Sequence, residues 1–420
     1  MSRIYRHVLA AATAWLVLSM LISTTVSAQI SECSLKRNVY ARALDEITWR
    51  QLNSVYEKVG EGNYDVAFDQ LEKMLARAGK DNYLQSILNQ ALAQVEWSRM
   101  NYGPALGYFE KAVELNALPD SSHFALMYQI AQLYYMQERY REALDKLDLW
   151  FCKSPADKMT SAAWVLKASI YVQQENFAET LKAIEIAIDM DEDPREQWYQ
   201  LKLASQLELE QFERAAQTLE LIISAWPEEK TYWLQLSQVY LRLQQDEEAL
   251  AVIALAYRIG LLDAQGDITY LSSLYSNSHV PFKSAQVMEK GINDGLVDST
   301  RNHWSVVADS WYAAEELEKS LLAFEKAGAA SEDGKIDLRR GYILADLERW
   351  PDALDALNTA LDKGSLSEQK TGEAYLLRGM SQFHLGDFDR AGADWSKAGR
   401  YERSRDAARQ WMNHLTQTLE

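Results

Sequence analysis

A repeated pattern of small and large residues constrains this sequence more than any other feature. A small residue is followed four positions later by a large apolar residue, and three positions after that by another apolar residue. The pattern occurs ten times, and its leading residues are separated by 38, 38, 37, 35, 34, 35, 36, 33 and 38 positions. Offsets of four and three place residues on one helical face, so the pattern predicts ten helices at a regular interval. The leading residues are Ala67, Ala105, Ala143, Thr180, Ala215, Ala249, Ser284, Ser320, Ala353 and Ala391.

A second column of small residues precedes the first by twelve positions in most copies. Small residues on two helices allow the helices to approach closely, so each repeat is predicted to be a pair of antiparallel helices. Repeat five departs from the column, because Leu203 stands in the small position. The members of the column are Ala93, Ala131, Ala168, Ser237, Ser272, Ala308, Gly341 and Gly379.

The residues that close each repeat predict how the array is divided. None of the seven prolines interrupts the interior of a predicted helix, where proline would remove a hydrogen bond; Pro104, Pro281 and Pro351 fall in the first turn of second helices. After repeat five the closing residue changes from proline to glycine, as at Gly260 and Gly295, and glycine takes the left-handed conformation that ends a helix. We therefore expect two sub-arrays, residues 40–229 and 230–400, followed by a capping helix and tail at 401–420 that closes the open end.

The repeat resembles the tetratricopeptide repeat over residues 40–400. The matching residues are Trp164, Ala168 and Tyr171 in a first helix, and Tyr102, Ala105, Phe109 and Ala112 in a second. The resemblance implies an all-α fold: a right-handed superhelical α-solenoid of about ten helical hairpins with a C-terminal capping helix. It also implies that the first helices line a concave face that binds other proteins.

The N-terminus is typical of a secretory signal peptide. Arg3 and Arg6 precede an apolar run at 8–22, and small residues at Val26 and Ala28 predict cleavage after Ala28. The run is shorter than the roughly 20 residues that span a bilayer, which makes an uncleaved inner-membrane anchor the alternative. Residues 1–28 are therefore predicted to be a signal peptide and residues 29–39 an N-terminal segment, and the expected location is the periplasm.

The two cysteines leave two possibilities open. The periplasm is oxidising, so Cys33 and Cys152 are either disulfide-bonded or two isolated thiols. A bond requires the N-terminal segment to fold back until the two Cα atoms lie within about 7 Å of each other.

Charge and motif content argue against nucleic-acid binding and against catalysis. The chain has 43 Lys and Arg against 61 Asp and Glu, a formal charge of −18, which repels phosphate backbones. The six histidines have no metalloprotease spacing, and no phosphate-binding loop, dinucleotide-binding glycine pattern or nucleophile elbow is present. Ser367 to Lys370 and Lys370 to Gly372 imitate two penicillin-binding motifs but share one lysine. We expect no catalytic residues, metal, cofactor or small-molecule substrate.

The predicted concave face and the C-terminus supply the candidate binding residues. Exposed aromatic residues among amides suit protein recognition, although the same residues could instead pack between adjacent repeats. Basic residues near the C-terminus form either a solvated face of the cap or a contact for an acidic partner or anionic phospholipid headgroups. The concave-face candidates are Trp97, Tyr128, Gln132, Tyr135, Gln238, Tyr312, Tyr342 and Phe383, and the basic patch is Arg400, Arg403, Arg405 and Arg409.

Three segments in the C-terminal half carry a narrower resemblance. Residues 281–297, 333–341 and 404–411 are similar to periplasmic tetratricopeptide proteins associated with TonB–ExbB–ExbD systems of gammaproteobacteria. That resemblance implies a non-enzymatic scaffold in TonB-dependent uptake, with periplasmic parts of TonB or ExbD as partners. The alternatives are an adaptor in envelope assembly, for peptidoglycan or outer-membrane protein biogenesis, and a solenoid hydrolase. The hydrolase needs an acidic residue of raised pKa in a cleft, and the sequence identifies none.

Overall fold

The computed structural model describes residues 37, 39–154, 159–328 and 332–419. Within these ranges the chain forms 21 α-helices, one short 3-10 helix and no strand. The first twenty helices follow one another as ten repeats of a first helix and a second helix, and the last helix caps the C-terminal hairpin. In nine repeats the two helices pack as a hairpin, and in repeat five they belong to different compact units. The structure therefore confirms the prediction of an all-α solenoid of about ten hairpins.

The first helices of the hairpins are α1 Glu46–Gly60, α3 Asn82–Ser98, α5 Asp120–Met136, α7 Ser161–Gln173, α9 Glu196–Glu208, α11 Lys230–Arg242, α13 Gln265–Asn277, α15 Arg301–Ala313, α17 Lys335–Asp346 and α19 Glu368–His384. The second helices are α2 Tyr64–Arg77, α4 Tyr102–Glu114, α6 Tyr140–Lys153, α8 Phe177–Asp189, α10 Phe212–Ala225, α12 Asp246–Arg258, α14 Pro281–Asn293, α16 Leu317–Gly328, α18 Trp350–Lys363 and α20 Phe388–Ala398. A 3-10 turn at Glu402–Ser404 leads into α21, Arg405–Leu419.

The small residues predicted to let helices approach are the most deeply buried positions of the fold. All ten leading residues of the second helices, from Ala67 to Ala391, have 0% of their surface exposed. Two glycines of the first-helix column leave no room for a larger side chain. A Cβ atom on Gly341 would lie 2.7 Å from the Leu357 side chain, and one on Gly379 would lie 2.6 Å from Nε1 of Trp395. In these two hairpins a side chain of the second helix lies so close to the first helix that only glycine leaves room for it.

The turn inside every hairpin uses one residue in the left-handed conformation. This residue always lies five positions before the leading small residue, and in eight of the ten turns it is not glycine. The N–H of the next residue donates to the carbonyl five positions before it, as from Asn101 to Glu96 at 2.9 Å, which closes the first helix. The residues are Gly62, Met100, Glu138, Glu175, Glu210, Gln244, His279, Glu315, Glu348 and Gly386. Gly260 and Gly295, between hairpins, also have positive φ as the sequence predicts.

The chain divides into two compact units, one up to Gln211 and one from Phe212 onward. The division falls within repeat five, the repeat in which Leu203 replaces the small residue. The boundary at residue 229 rests on a different feature, the closing residues of the repeats, and stays a prediction. In the second unit α21 covers the last hairpin: Trp411 stacks on Trp395 with ring centroids 5.3 Å apart, and Leu415 is buried.

Candidate functional site

Three consecutive first helices of the second unit, α15, α17 and α19, line a groove that we call the Tyr342 groove. It consists of two cavities of about 190 and 390 Å³ that share Asp309, Phe324, Arg339, Tyr342 and Lys370. Because the same side of three successive hairpins contributes, the groove is continuous across hairpins eight to ten. The remaining lining residues are Ser305, Tyr312, Lys335, Ile336, Leu338, Ile343, Leu366 and Ser367.

The polar groups of the Tyr342 groove are held by hydrogen bonds between neighbouring hairpins. The Tyr342 hydroxyl donates to Glu373 at 2.8 Å, and the Tyr312 hydroxyl donates to Asp346 at 3.0 Å. Burial, together with the carboxylate of Glu373, raises the pKa of Tyr342 well above its ordinary value. Burial acts to raise the pKa of Glu373, but hydrogen bonds from Lys370, Gln369 and Tyr342 leave it below its usual range. Both tyrosines are therefore neutral and fixed in orientation.

Asp309 and Arg339 form an ion pair across the groove. Nitrogen and oxygen are 3.1 Å apart, and about half of each side chain is exposed to solvent. Burial raises the pKa of Asp309, and the charge of Arg339 partly opposes that shift. An exposed pair of this kind is weak, so Arg339 can exchange Asp309 for the carboxylate of a bound molecule.

The first unit contains a more apolar groove, here called the Trp150 groove. It encloses about 620 Å³ between α5, the end of α6 and the residues just before α7. The rings of Tyr128 and Trp150 pack with centroids 5.2 Å apart, and Gln132 lies one turn further along α5. The Oγ atom of Ser154 is buried and has no hydrogen-bond partner among the described residues. The lining residues are Asp120, Ser121, Phe124, Ala125, Tyr128, Gln129, Gln132, Trp150, Lys153, Ser154 and Thr160.

The predicted concave-face residues thus separate into several groups. Tyr312 and Tyr342 line one groove, and Tyr128 and Gln132 line the other. Gln238 is exposed on α11 and lines neither groove.

The other three aromatic candidates contact rings of neighbouring helices. Trp97 packs against Tyr102 and Phe109 of the next helix. Tyr135 packs against Tyr140, again within one hairpin. Phe383 contacts Phe388, Trp395, Trp411 and His414, so it is part of the aromatic cluster that holds the capping helix.

The predicted basic patch lies beside the 3-10 turn. Arg400, Arg403 and Arg405 line a polar depression of about 350 Å³ together with Glu368 and Glu402. Arg409, one turn further along α21, pairs with Asp406 at 3.8 Å. All four arginines are exposed. Carboxylates are interspersed among them, so the patch is mixed in charge.

Of the two cysteines, only Cys152 lies in the described part of the chain. It is in the last turn of α6 and is disulfide-bonded. Cys33 lies outside the described residues, so its pairing with Cys152 stays a prediction.

The described ranges contain no group of three or more His, Cys, Asp or Glu residues placed to hold a metal ion. Every helix in them is too short or too polar to cross a membrane. Ser367 caps α19 by accepting from the Lys370 N–H at 3.3 Å, and Lys370 pairs with Glu373 at 2.6 Å. The two penicillin-binding-like motifs therefore coincide with the start of a helix.

Sequence reasoning missed several groove residues. Asp309, Arg339 and Lys370 belong to no repeated column, and charged residues on a helix surface give no periodic signal. Trp150 could have been identified from the sequence, because it stands at a position where most repeats have alanine. A large residue at a position built for a small one marks a place where the packing between hairpins is widened.

The sequence pattern of the tetratricopeptide repeat family matches residues 201–261 and 338–407. A comparison with curated protein sequences finds no significant match. Over these two stretches the sequence matches the tetratricopeptide repeat.

Solved structures of repeat proteins are similar at low sequence identity. A tetratricopeptide repeat protein from Parabacteroides merdae is 14% identical, covering 61% of this chain and 98% of that chain with a TM-score of 0.31. YrrB, described as a TPR protein with an unusual peptide-binding site, is 18% identical over 44% of this chain and 92% of its own, with a TM-score of 0.36. Cut9–Hcn1 of the APC/C is 11% identical, covering 88% of this chain and 84% of that chain, with a TM-score of 0.31.

Proposed function

We propose that this tetratricopeptide-repeat chain is a periplasmic scaffold that binds an extended segment of another protein in the Tyr342 groove. The observation that supports this role best is the groove itself, in which three successive hairpins place tyrosine, arginine and lysine side chains around an apolar floor. Tyrosine and arginine are the residues that most often dominate the binding energy of protein interfaces. Hydrogen bonds to Asp346 and Glu373 hold the two tyrosines in place, which lowers the entropy lost on binding.

The groove suits a segment with an apolar side chain next to a carboxylate. Phe324, Ile336 and Leu338 line the floor of the groove, where a few per cent of each side chain is exposed. Lys335, Arg339 and Lys370 surround that surface, so an acidic side chain of the partner would take the place of Asp309 beside Arg339.

The proposed system is TonB-dependent uptake, with the periplasmic parts of TonB or ExbD as partners. The support for it is the resemblance of residues 281–297, 333–341 and 404–411 to proteins associated with such systems. The proposed location is supported by the signal-like N-terminus, which lies outside the described residues. We propose that the signal peptide, residues 1–28, is cleaved from the protein.

The binding site is tested with two matched arginine variants. Arg339→Ala removes a groove residue that is ion-paired at 3.1 Å, whereas Arg390→Ala removes an exposed arginine paired with Asp387 at 3.4 Å, outside the groove. Tagged full-length protein is used to capture partners from envelope extract, and the affinity for the captured protein is then measured. We expect Arg339→Ala to weaken binding at least tenfold, about 1.4 kcal/mol, and Arg390→Ala to change it less than twofold. Equal binding by both variants would contradict the site.

The proposed pathway has its own test. A deletion strain should grow more slowly than wild type on an iron–siderophore complex, and TonB or ExbD should co-purify with the protein. Unchanged growth without such a partner contradicts the TonB role. Capture of peptidoglycan enzymes or outer-membrane proteins in their place would identify an envelope-assembly adaptor.

The alternative of a solenoid hydrolase can be tested at Asp309, because this carboxyl group lies in the groove and has a raised pKa. Its ion pair with Arg339 favours a binding role. Incubation of the protein with purified peptidoglycan should release no soluble fragments. Fragment release that disappears in Asp309→Asn would establish the hydrolase instead.

A further inference from the structure

Three arginines around one depression in the second unit have no acidic partner. Arg400, Arg403 and Arg405 line the polar depression of about 350 Å³ beside the 3-10 turn, which we call the cap depression. Among the described residues no carboxylate forms an ion pair with any of the three, and Arg405 donates only to the Gly399 carbonyl, at 3.4 Å. Positive charges that share one depression repel one another, and a bound anion removes that repulsion.

Two glutamates complete the cap depression, so it has charges of both signs. Glu368 lies in the first turn of α19, and Glu402 lies in the 3-10 turn. Within the described ranges neither carboxylate forms an ion pair or accepts a hydrogen bond from a side chain. The arginines and glutamates of the depression therefore do not neutralise one another, and a ligand that carries both charges satisfies both sets.

The turn that carries most of these residues packs directly on α19. A Cβ atom on Gly372 would lie 2.6 Å from the Oγ atom of Ser404 and 2.7 Å from the Cβ atom of Tyr401, so only glycine leaves room for the turn. The Tyr401 ring stacks on Tyr375 with centroids 6.4 Å apart, and Ser404 is buried. The backbone that carries the arginines is thus fixed before a ligand binds, which reduces the entropy lost on binding.

The number of guanidinium groups favours phosphate over carboxylate. One guanidinium already matches both oxygens of a carboxylate in a bidentate pair, whereas a phosphate monoester has three acceptor oxygens and accepts from several guanidiniums. The glutamates in turn suit an ammonium group, which donates three hydrogen bonds. The net charge of −18 opposes contact with a purely anionic surface, and a ligand whose charges largely cancel avoids that repulsion.

We propose that the cap depression binds a phosphate ester that also carries an amino group. The phosphate lies against the three arginines and the ammonium group against the two glutamates. Phosphoethanolamine is the simplest molecule of this class, and it occurs both as a phospholipid headgroup and as a soluble compound. The site is separate from the Tyr342 groove, because none of the proposed ligand-binding residues lines that groove.

Calorimetric titration of the full-length protein with soluble phosphoethanolamine tests the site. Arg400→Gln/Arg403→Gln removes two unpaired arginines from the depression. The matched control is Arg390→Gln/Arg409→Gln, which removes the same charge from two exposed arginines outside it that pair with aspartates at 3.4 and 3.8 Å. We expect about tenfold weaker binding for the first variant and a change of less than about twofold for the control. Equal weakening by both, or no binding by the wild-type protein, overturns the proposal.

Two simpler compounds test the assignment of the charges. β-Alanine has a carboxylate in place of the phosphate, and inorganic phosphate lacks the amino group. The wild-type protein should bind phosphoethanolamine about tenfold more tightly than either compound. Glu368→Gln/Glu402→Gln should remove the preference over inorganic phosphate. β-Alanine that binds as tightly as phosphoethanolamine, or a preference that persists in the glutamate variant, overturns the assignment.

Flotation with lipid vesicles distinguishes the two sources of the ligand. Vesicles of phosphatidylcholine alone are compared with vesicles that also contain phosphatidylethanolamine, since the choline group has no N–H to donate. Binding that requires phosphatidylethanolamine and is lost in Arg400→Gln/Arg403→Gln identifies the lipid headgroup. Binding of the soluble compound without vesicle binding identifies a soluble ligand. Failure of this site leaves the protein-binding role of the Tyr342 groove unaffected, because the variants do not alter that groove's lining.

Discussion

At the scale of single residues, the hairpin turns impose a backbone conformation that suits glycine, yet most of them contain a residue with a side chain. Glu175 has a φ of 56° and is exposed at such a turn. The left-handed conformation costs a residue with a Cβ atom about 1 kcal/mol or more, whereas glycine adopts it without strain. The gain from glycine is reduced by the greater freedom of the unfolded chain.

We therefore expect Glu175→Gly to raise the free energy of unfolding by about 0.5–1 kcal/mol. The measurement is the urea midpoint followed by circular dichroism. Gly386→Ala is the reverse control, since Gly386 has a φ of 81° at the equivalent turn, and it should lower the midpoint. A destabilised Glu175→Gly protein would show that the glutamate side chain has a role of its own.

His123 links the pH dependence of stability to one side chain. Burial, with a smaller contribution from the charges of Arg37 and Lys146, lowers the pKa of His123 to about 4. In the unfolded chain its pKa is about 6.5. Between these values the unfolded state binds more protons, so the contribution of His123 to stability is complete above pH 6.5 and is lost as the pH falls toward 4.

Wild-type protein should lose about 1–2 kcal/mol more stability than His123→Phe when the pH is lowered from 7 to 4.5. The comparison uses urea midpoints of the two proteins at both pH values. Parallel pH profiles of the two proteins would exclude His123 as the group responsible.

At the scale of helices, the two helices of a hairpin pack most closely where the first helix has a glycine. A Cβ atom on Gly379 would meet the Trp395 ring, whereas a Cβ atom on Gly107 of α4 would have no atom within 4 Å. Both glycines lie inside helices, where alanine has the higher propensity.

Gly379→Ala should therefore lower the free energy of unfolding by about 1–3 kcal/mol through overpacking, and Gly107→Ala should raise it by up to about 1 kcal/mol. Thermal and urea midpoints of the two variants provide the measurement. A Gly379→Ala protein as stable as wild type would mean that α19 and α20 separate to admit the methyl group.

The helix pairs were predictable because each depends on residues that recur at a fixed spacing. The burial of Ala105 or Ala249 follows from geometry that is the same in every repeat. The groove was less predictable. Tyr312 and Phe383 each stand four residues after the small residue of their first helix, yet Tyr312 lines a groove whereas Phe383 packs under the capping helix. The difference arises from the neighbouring helix, which the local sequence does not contain.

At the scale of the whole molecule, the charge balance opposes folding. The formal charge of −18 means that carboxylates outnumber basic groups over the chain, and bringing them together costs free energy. Dissolved salt screens such repulsion, with a screening length of about 10 Å at 0.1 M.

We expect the free energy of unfolding to rise by about 1 kcal/mol between 20 and 300 mM NaCl, because the self-repulsion of the net charge outweighs exposed ion pairs of small individual value. KCl at equal ionic strength is the control and should give the same rise. A fall in stability with salt would show that the ion pairs between hairpins dominate.

The constant geometry of the hairpin turn also has a consequence for how such a chain can change in length. The small residue of the first helix precedes that of the second by twelve positions in every hairpin that has both, while the interval between hairpins varies from 33 to 38. That variation lies outside the hairpin turn, in the connection and in the start of the first helix, which has 17 residues in α3, α5 and α19, where the interval is 38. The hairpin is the exchangeable module, and the connections are the places where a reporter or a purification tag can be inserted without altering the contacts within a module.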